Sequence, residues 1–509
     1  MTALAQRRRV VGSRTAVGST RLAALPAVLV TLAAIVGSVW WGYLAMRRAD
    51  GLAASAFDQA YFQQLVWSVS QGYGFRSSFN PGDFLGLHFS PLLVVPAALQ
   101  VVWPDARLLS LLQVIALGLA VPAAFLFVRA VLRPSPAAGW TAVVLTAPMI
   151  IWPIYQQQLR ADFHTESLAL PLVFLAGWAG LTRRPLVMIA AALVALTAKE
   201  DQVYPVAVMG LLLAAHGPGS WRGTARRRGL WLVGLAVAWA VIVFGVVKPV
   251  LRAGVTYDTD GYYAWLGQGS ALLRAPFDRT EAIIAALSRP AGWLVVGWLL
   301  VSLGGLAILR PRWLLLLVPP FVAHMLSRQI PQQQITLQYG LLLIVPAVVA
   351  AALGARRALA WWAVRRRRRG SGRHVEIGRI AVIGALVAVL AVGAAYGGGS
   401  VPPFSAVQAR FWTRPPAIDR VRAIAAVVPP DATLSVDWGM ASALASRQRI
   451  QVLTGLTDDA WLLLDADPYV SGYFRWADRT ALVKGLPTSG RPLLVEDGRF
   501  TLWGPRRGG

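Results

Sequence analysis

Apolar runs of roughly 17–25 residues recur along this chain, and that is the length at which one α-helix crosses the hydrocarbon core of a bilayer. A soluble domain needs apolar stripes, not whole helices that are apolar all round. The composition agrees. Charged residues make up 14% against 56% apolar, and mean hydropathy is +0.55, the balance of a polytopic membrane protein rather than a soluble enzyme. The pattern predicts spans at 22–46, 107–131, 138–154, 167–181, 185–199, 203–215, 230–250, 291–309, 313–326, 339–354 and 380–396, about eleven in all. The short ones need packed neighbours. HFSPLLVVPAALQVVWP, from His88, is apolar too, but it is short and carries two internal prolines. It reads as an interfacial helix, with a twelfth span as the alternative.

Arginine sets the orientation. The N-terminal segment 1–21 carries five arginines, GSWRGTARRRG four, and the stretch 356–379 nine. With the N-terminus cytoplasmic and eleven spans, all three clusters fall on the cytoplasmic side, as the positive-inside bias requires. Arg47 and Arg48 are outvoted exceptions. Of the 23 acids only Glu376 then falls inside. A twelfth span would invert everything after it. The net charge of +26 therefore reflects topology, not nucleic-acid binding, because the arginines lie in clusters between apolar runs. Arg7–Arg9 followed by an apolar run resembles a signal peptide. That run is too long and lacks a small-residue cleavage site, so it reads as an uncleaved first span. The chain has no cysteine, which excludes disulfide and thiolate chemistry.

Residues 22–396 thus read as an all-α transmembrane unit. Residues 397–509 differ: short β-branched runs alternate with helical patterns, which predicts a small α/β domain on the outer face. Its closing PLLVEDGRFTLW reads as a hairpin with an Asp-Gly turn.

The outward loops carry the chemistry. The first holds Asp58 and ends near His88. The second, YQQQLRADFHTESLAL, packs Arg160, Asp162, His164 and Glu166 into seven residues. The third holds Lys199, Glu200 and Asp201, and another holds Arg328 and Tyr339. Ionisable groups at a bilayer edge are costly unless solvated or paired, so they are functional candidates. Each has a plainer reading. Asp58 would suit a helix N-terminus, Asp162 to Glu166 an ordinary wet loop, and Lys199-Glu200-Asp201 a structural ion-pair knot. The i, i+2, i+4 spacing of Asp162, His164 and Glu166 is a weak metal signal.

The strings FDQAYFQQLVWSVSQGYGF, LHFSPLLVVPAALQ, DFHTESLALPL, ALTAKEDQ and LQYGLLLIVPA resemble, in this order over about residues 50–470, the bacterial membrane family known as domain of unknown function 2079. That family resembles in turn the GT-C superfamily of polyprenyl-phosphate-dependent glycosyltransferases. The likeness lies in layout: one span, a long outer loop with an acid, interfacial helices, then a second span. GT-C enzymes commonly have two acids in that loop, whereas this chain has Asp58-Gln59.

The resemblance implies inverting transfer of a sugar from a lipid-linked phosphate donor to a cell-envelope glycan or polymer acceptor, on the outer face of the cytoplasmic membrane. Asp58 would be the general base. Arg160, Lys199 and Arg328 would hold the phosphate, and His88, Glu200, Asp201 and Tyr339 would bind substrate. Asp162, His164 and Glu166 could orient the sugar or hold a divalent cation, Mg or Mn. The competing reading is a transporter or lipid flippase, in which Lys199-Glu200-Asp201 couples to protons.

Overall fold

The computed structural model of the chain describes residues 2–215, 222–267, 270–369, 383–384, 386–387, 414–453, 457–469 and 476–506. The span predicted at 380–396 lies largely outside the described residues. A helix stands at each of the other predicted positions. Four are long and apolar enough to cross a bilayer by themselves: Ala24–Asp50, Arg107–Leu132, Gly223–Arg252 and Ile330–Arg365. A fifth span results if the bent pair Thr280–Leu287 and Pro290–Ser302 is one crossing. Other apolar helices, such as Glu166–Leu181 and Pro185–Leu196, are shorter and pack into the bundle.

Lipid tails are as apolar as leucine, so these helices cohere by close packing rather than by hydrophobic expulsion. The helix Arg107–Leu132 is the hub, packed against the first helix and against Glu166–Leu181. Small residues permit the closest approaches. A Cβ at Gly229 would stand 2.4 Å from the carbonyl oxygen of Gly210, and one at Gly354 would stand 1.8 Å from that of Leu306. Both obstacles are backbone and cannot yield.

Between the first two long helices, residues 51–106 form a platform. A π-helical turn, Ala56–Ala60, leads into the helix Tyr61–Ser70, and the helix Val94–Val102 follows. Nine residues at about 1.5 Å each reach less than half of a hydrocarbon core. Val94, Val95, Val101 and Val102 are exposed on it, as the interfacial reading expects.

The described C-terminal part is a mixed sheet of order β2-β1-β3-β5-β4, with β1 Leu434–Val436, β2 Ile450–Val452, β3 Trp461–Asp465, β4 Leu493–Asp497 and β5 Phe500–Trp503. β1 runs parallel to β2 and β3, and β5 antiparallel to β3 and β4. The Asp497-Gly498 turn joins β4 to β5, with Gly498 at φ +59°. Inside the sheet domain, Arg479 grips the Asp437 carboxylate at 2.6 and 2.8 Å, and Arg499 grips Asp465 at 2.7 Å.

This unit is seated on the platform of residues 51–106. The Gln64 side-chain amide donates to the carbonyls of Arg447 and Gln448 at 2.8 and 3.2 Å. The Ser78 hydroxyl donates to the Ile450 carbonyl and accepts from the Ile450 N–H, which extends the edge of β2. Arg422 reaches the Asp105 carboxylate at 2.8 Å, and the Ala417 N–H donates to the Asp50 carbonyl. Gly439 lies against the Leu52 carbonyl so closely that a Cβ there would stand 2.1 Å from its oxygen.

Candidate active site

Two glutamines fix the loop that carries His164. Gln113 is buried in the second turn of its largely apolar helix. Its Nε2 faces the carbonyls of Gln158, Ala161 and Asp162 at 2.9–3.1 Å. Its Oε1 accepts from the His164 N–H at 2.9 Å and the Ser167 hydroxyl at 3.1 Å. Gln59 does the same from the other side, donating to the Ala106 carbonyl and accepting from the Phe163 N–H. A buried backbone group must find a partner, and here side-chain amides supply it. Gln113→Leu orphans several such groups at once. The expected loss is about 2–4 kcal/mol of stability, read by unfolding titration in mixed micelles.

Asp58 stands on the π-helical turn, a geometry that recurs at functional sites. Its carboxylate is 39% exposed and lies 3.5 Å from His164 Nε2. The other ring nitrogen, Nδ1, lies 3.0 Å from the Asp162 carbonyl and donates to it. Burial disfavours a charged His164, but the Asp58 carboxylate and nearby Glu166 outweigh it and raise the imidazole above its ordinary 6.5. A raised folded value stabilises the protonated fold. That contribution is complete below 6.5 and fades as pH climbs through the raised value. Wild-type stability should therefore fall with rising pH across that window, and His164→Asn should flatten the profile, as read by thermal unfolding from pH 5.5 to about 9.

Next to this pair lies a knot of buried charges. Lys199 Nζ meets Glu166 Oε1 at 2.5 Å and Asp201 at 3.6 Å. Glu200 collects His88 Nδ1 at 3.0 Å, the Phe89 N–H at 2.8 Å and Lys248 Nζ at 2.7 Å. Burial opposes its charge, but His88, Lys248 and Lys199 hold the Glu200 carboxyl well below the usual range. Burial pushes Asp201 up to about 6 against the pull of Lys199. Lys248 directly follows a second π-helical turn, Val243–Val247, near the C-terminal end of its long helix. One turn later Arg252 grips Asp260.

Asp58, His88, His164, Glu166 and Lys199 line one cavity of about 440 Å³, together with aromatic Phe57, Tyr61, Phe84 and Trp438. Trp438 comes from the C-terminal domain and meets the Phe57 ring edge-on at 4.9 Å between centroids. A second cavity of about 400 Å³ adjoins it through His88, Glu166, Lys199 and Gln338. It is lined further by Glu200, Asp201, Lys248, Arg252, His324 and Tyr339, and by Phe244, which is exposed.

Not every residue singled out in the sequence joins this site. Arg328 is exposed and lines neither cavity; its N–H donates to the Tyr262 carbonyl. Arg160 closes the helix Pro153–Arg160, and its side chain lies outside the described residues. Asp162, His164 and Glu166 do not form a ligand set. The Asp162 carboxylate turns away to Arg48 at 2.7 Å and the Ser55 N–H at 3.1 Å, while Glu166 turns to Lys199. Among the described residues no three His, Cys, Asp or Glu side chains are grouped to hold a metal ion.

Arg48, Gln59, Gln113, Lys248, Arg252 and Trp438 were missed in the sequence. A lone glutamine inside an apolar run was the readable signal for Gln113, and a lysine and an arginine one turn apart at a span end for Lys248 and Arg252.

No curated protein matches the chain. Among solved structures, ArnT from Cupriavidus metallidurans bound to undecaprenyl phosphate is similar at TM-score 0.48 and 12% identity, over 92% of this chain and 97% of that one. The apo state of ArnT from Cupriavidus metallidurans gives 0.46 and 13%, over 91% and 97%. The model of the family described as DUF2079, predicted membrane protein, matches residues 48–470. That span contains all five strings picked out in the sequence, and the chain belongs to the DUF2079 family of predicted membrane proteins.

Proposed function

We propose that the chain is a membrane glycosyltransferase that moves a sugar from a polyprenyl-phosphate-linked donor to a cell-envelope acceptor. The reaction takes place on the outer face of the cytoplasmic membrane, with the N-terminus inside and the C-terminal domain outside. The observation that carries this reading is a partly exposed carboxylate, Asp58, lining a cavity that shares walls with a second, cation-bearing cavity.

The acceptor hydroxyl occupies the cavity lined by Asp58 and loses its proton to Asp58 as its oxygen attacks the anomeric carbon. The bond from that carbon to the phosphate oxygen breaks, and its electron pair leaves with the phosphate. Direct displacement inverts the anomeric centre. Lys199, Lys248 and Arg252 line the second cavity, where charge develops on the departing phosphate. The carboxylates of Glu166, Glu200 and Asp260 hold these cations in place. His164 positions Asp58, and Trp438 gives the C-terminal domain one wall of the acceptor side.

The carrier reading draws on the buried Lys199–Glu166 pair, because carriers use such groups to couple to protons. Incubating the purified protein with radiolabelled polyprenyl-phosphate sugars and an envelope fraction separates the two. Label leaving the lipid supports the transferase. Label crossing a liposome membrane on intact lipid supports the carrier.

A further inference from the structure

Four arginines from two separate segments meet at one end of the helical bundle. Arg310 and Arg312 lie where the turn Leu306–Leu309 passes into Pro311–Leu317. Arg356 and Arg357 lie on the long helix Leu341–Arg369. The close approach of Gly354 to the Leu306 carbonyl brings the two segments together, and Arg357 Nη1 donates to the Leu309 carbonyl at 2.9 Å. Arg312 and Arg357 are exposed, and Arg310 and Arg356 are half-buried.

No acid answers this charge. The sequence has no aspartate or glutamate between Glu281 and Glu376. Among the described residues none of the four arginines pairs with a carboxylate. The charges that bear on Arg310 are themselves positive, those of Arg357, Arg312 and Arg356. The positive-inside bias accounts for arginine on this side of a membrane. It does not account for four guanidinium groups gathered from two segments, since like charges gain by spreading apart. An anion among them removes that cost, and the planar guanidinium fork fits phosphate oxygens two at a time.

The neighbouring side chains say what carries the anion. Ile308, Leu309 and Leu315, next to the arginines in the chain, are exposed, as are Trp361 and Val364 on the long helix. Arg365 stacks over the Trp361 ring at 5.0 Å, an amphipathic pairing suited to a membrane surface. Free phosphate has no use for this apolar rim. A negatively charged headgroup above acyl chains matches both halves.

We propose that Arg310, Arg312, Arg356 and Arg357 bind the phosphate of an anionic glycerophospholipid whose acyl chains lie against Ile308, Leu309 and Leu315. In the orientation proposed above, that lipid belongs to the cytoplasmic leaflet. None of the four arginines lines either cavity, and the inference stands apart from the glycosyltransferase reading.

The test uses the full-length protein, stripped of lipid in detergent. It is titrated with dioleoyl phosphatidylglycerol, dioleoyl phosphatidylcholine and glycerol phosphate, and bound lipid is read by native mass spectrometry. Phosphatidylglycerol binds about 10-fold or more tighter than phosphatidylcholine, and glycerol phosphate is not held. Arg310→Gln with Arg356→Gln weakens phosphatidylglycerol about 30-fold, at about 5-fold for each arginine lost beside a charged headgroup. Arg226→Gln with Arg227→Gln removes the same charge from an exposed pair on another helix and leaves the affinity within about 2-fold. Without lipid, both double variants unfold at the wild-type temperature, so lost binding is not a folding defect. Should the first double variant fail to fold, Arg312→Gln, at an exposed position, gives the same reading at about 5-fold. The proposal is overturned if phosphatidylcholine binds as well as phosphatidylglycerol, or if glycerol phosphate binds as tightly as the lipid. Equal losses in the two double variants, or no loss in the first, also overturn it.

Discussion

Replacing Asp58 by Asn lowers kcat/KM for sugar transfer by about 100- to 10,000-fold, the range expected when a general base is removed. Asn keeps the shape and an oxygen acceptor but cannot hold a proton taken from the acceptor hydroxyl. The loss should fall on kcat, since donor contacts lie in the adjoining cavity. Stability should change little. Asp58 is 39% exposed and its pairing with His164 spans 3.5 Å. Pairs that are solvated to this degree contribute about 0–1 kcal/mol. Its backbone is held by neighbours on the turn, above all by Gln59, whose amide is occupied at both ends. Unchanged unfolding with collapsed turnover is the signature of a base. Parallel loss of both makes Asp58 structural.

Lys199→Ala is expected to destabilise the protein by about 3–5 kcal/mol, because it strands a buried carboxylate. Glu166 is 4% exposed and Lys199 is its 2.5 Å partner. Adding Glu166→Gln to Lys199→Ala removes the stranded charge. The double variant should recover much of the loss, so the two single effects sum to clearly more than the pair. Activity should not recover with it, because the double variant lacks the cation that faces the departing phosphate. A double-variant cycle on unfolding free energy, run beside transfer assays, separates these. If stability and activity return together, Lys199 has only a structural part.

The helices were legible because apolarity over a bilayer's length admits few alternatives, and the Asp497-Gly498 hairpin because turn chemistry is local. The meeting of Asp58, His164 and Lys199 was foreshadowed by their common level at span ends. Its wiring was not. Arg48 counted only as an exception to the charge bias, yet it holds Asp162 across more than a hundred residues of chain. Gln59 stands where a second acid was sought, and it serves the backbone of the His164 loop instead. Close spacing of Asp162, His164 and Glu166 suggested a ligand set. Three partners in three directions, Arg48, Asp58 and Lys199, pull those side chains apart. Trp438 reaches the site only because the C-terminal domain docks through Gln64, Ser78 and Asp105, and no local pattern encodes such docking.

The most direct measurement is release of label from radiolabelled polyprenyl-phosphate sugars by wild-type and Asp58→Asn protein in the same proteoliposomes. The account predicts that label passes to envelope acceptor or to water with the wild type and stays on the lipid with the variant. Equal release by both, or no release while intact labelled lipid crosses the membrane, contradicts it.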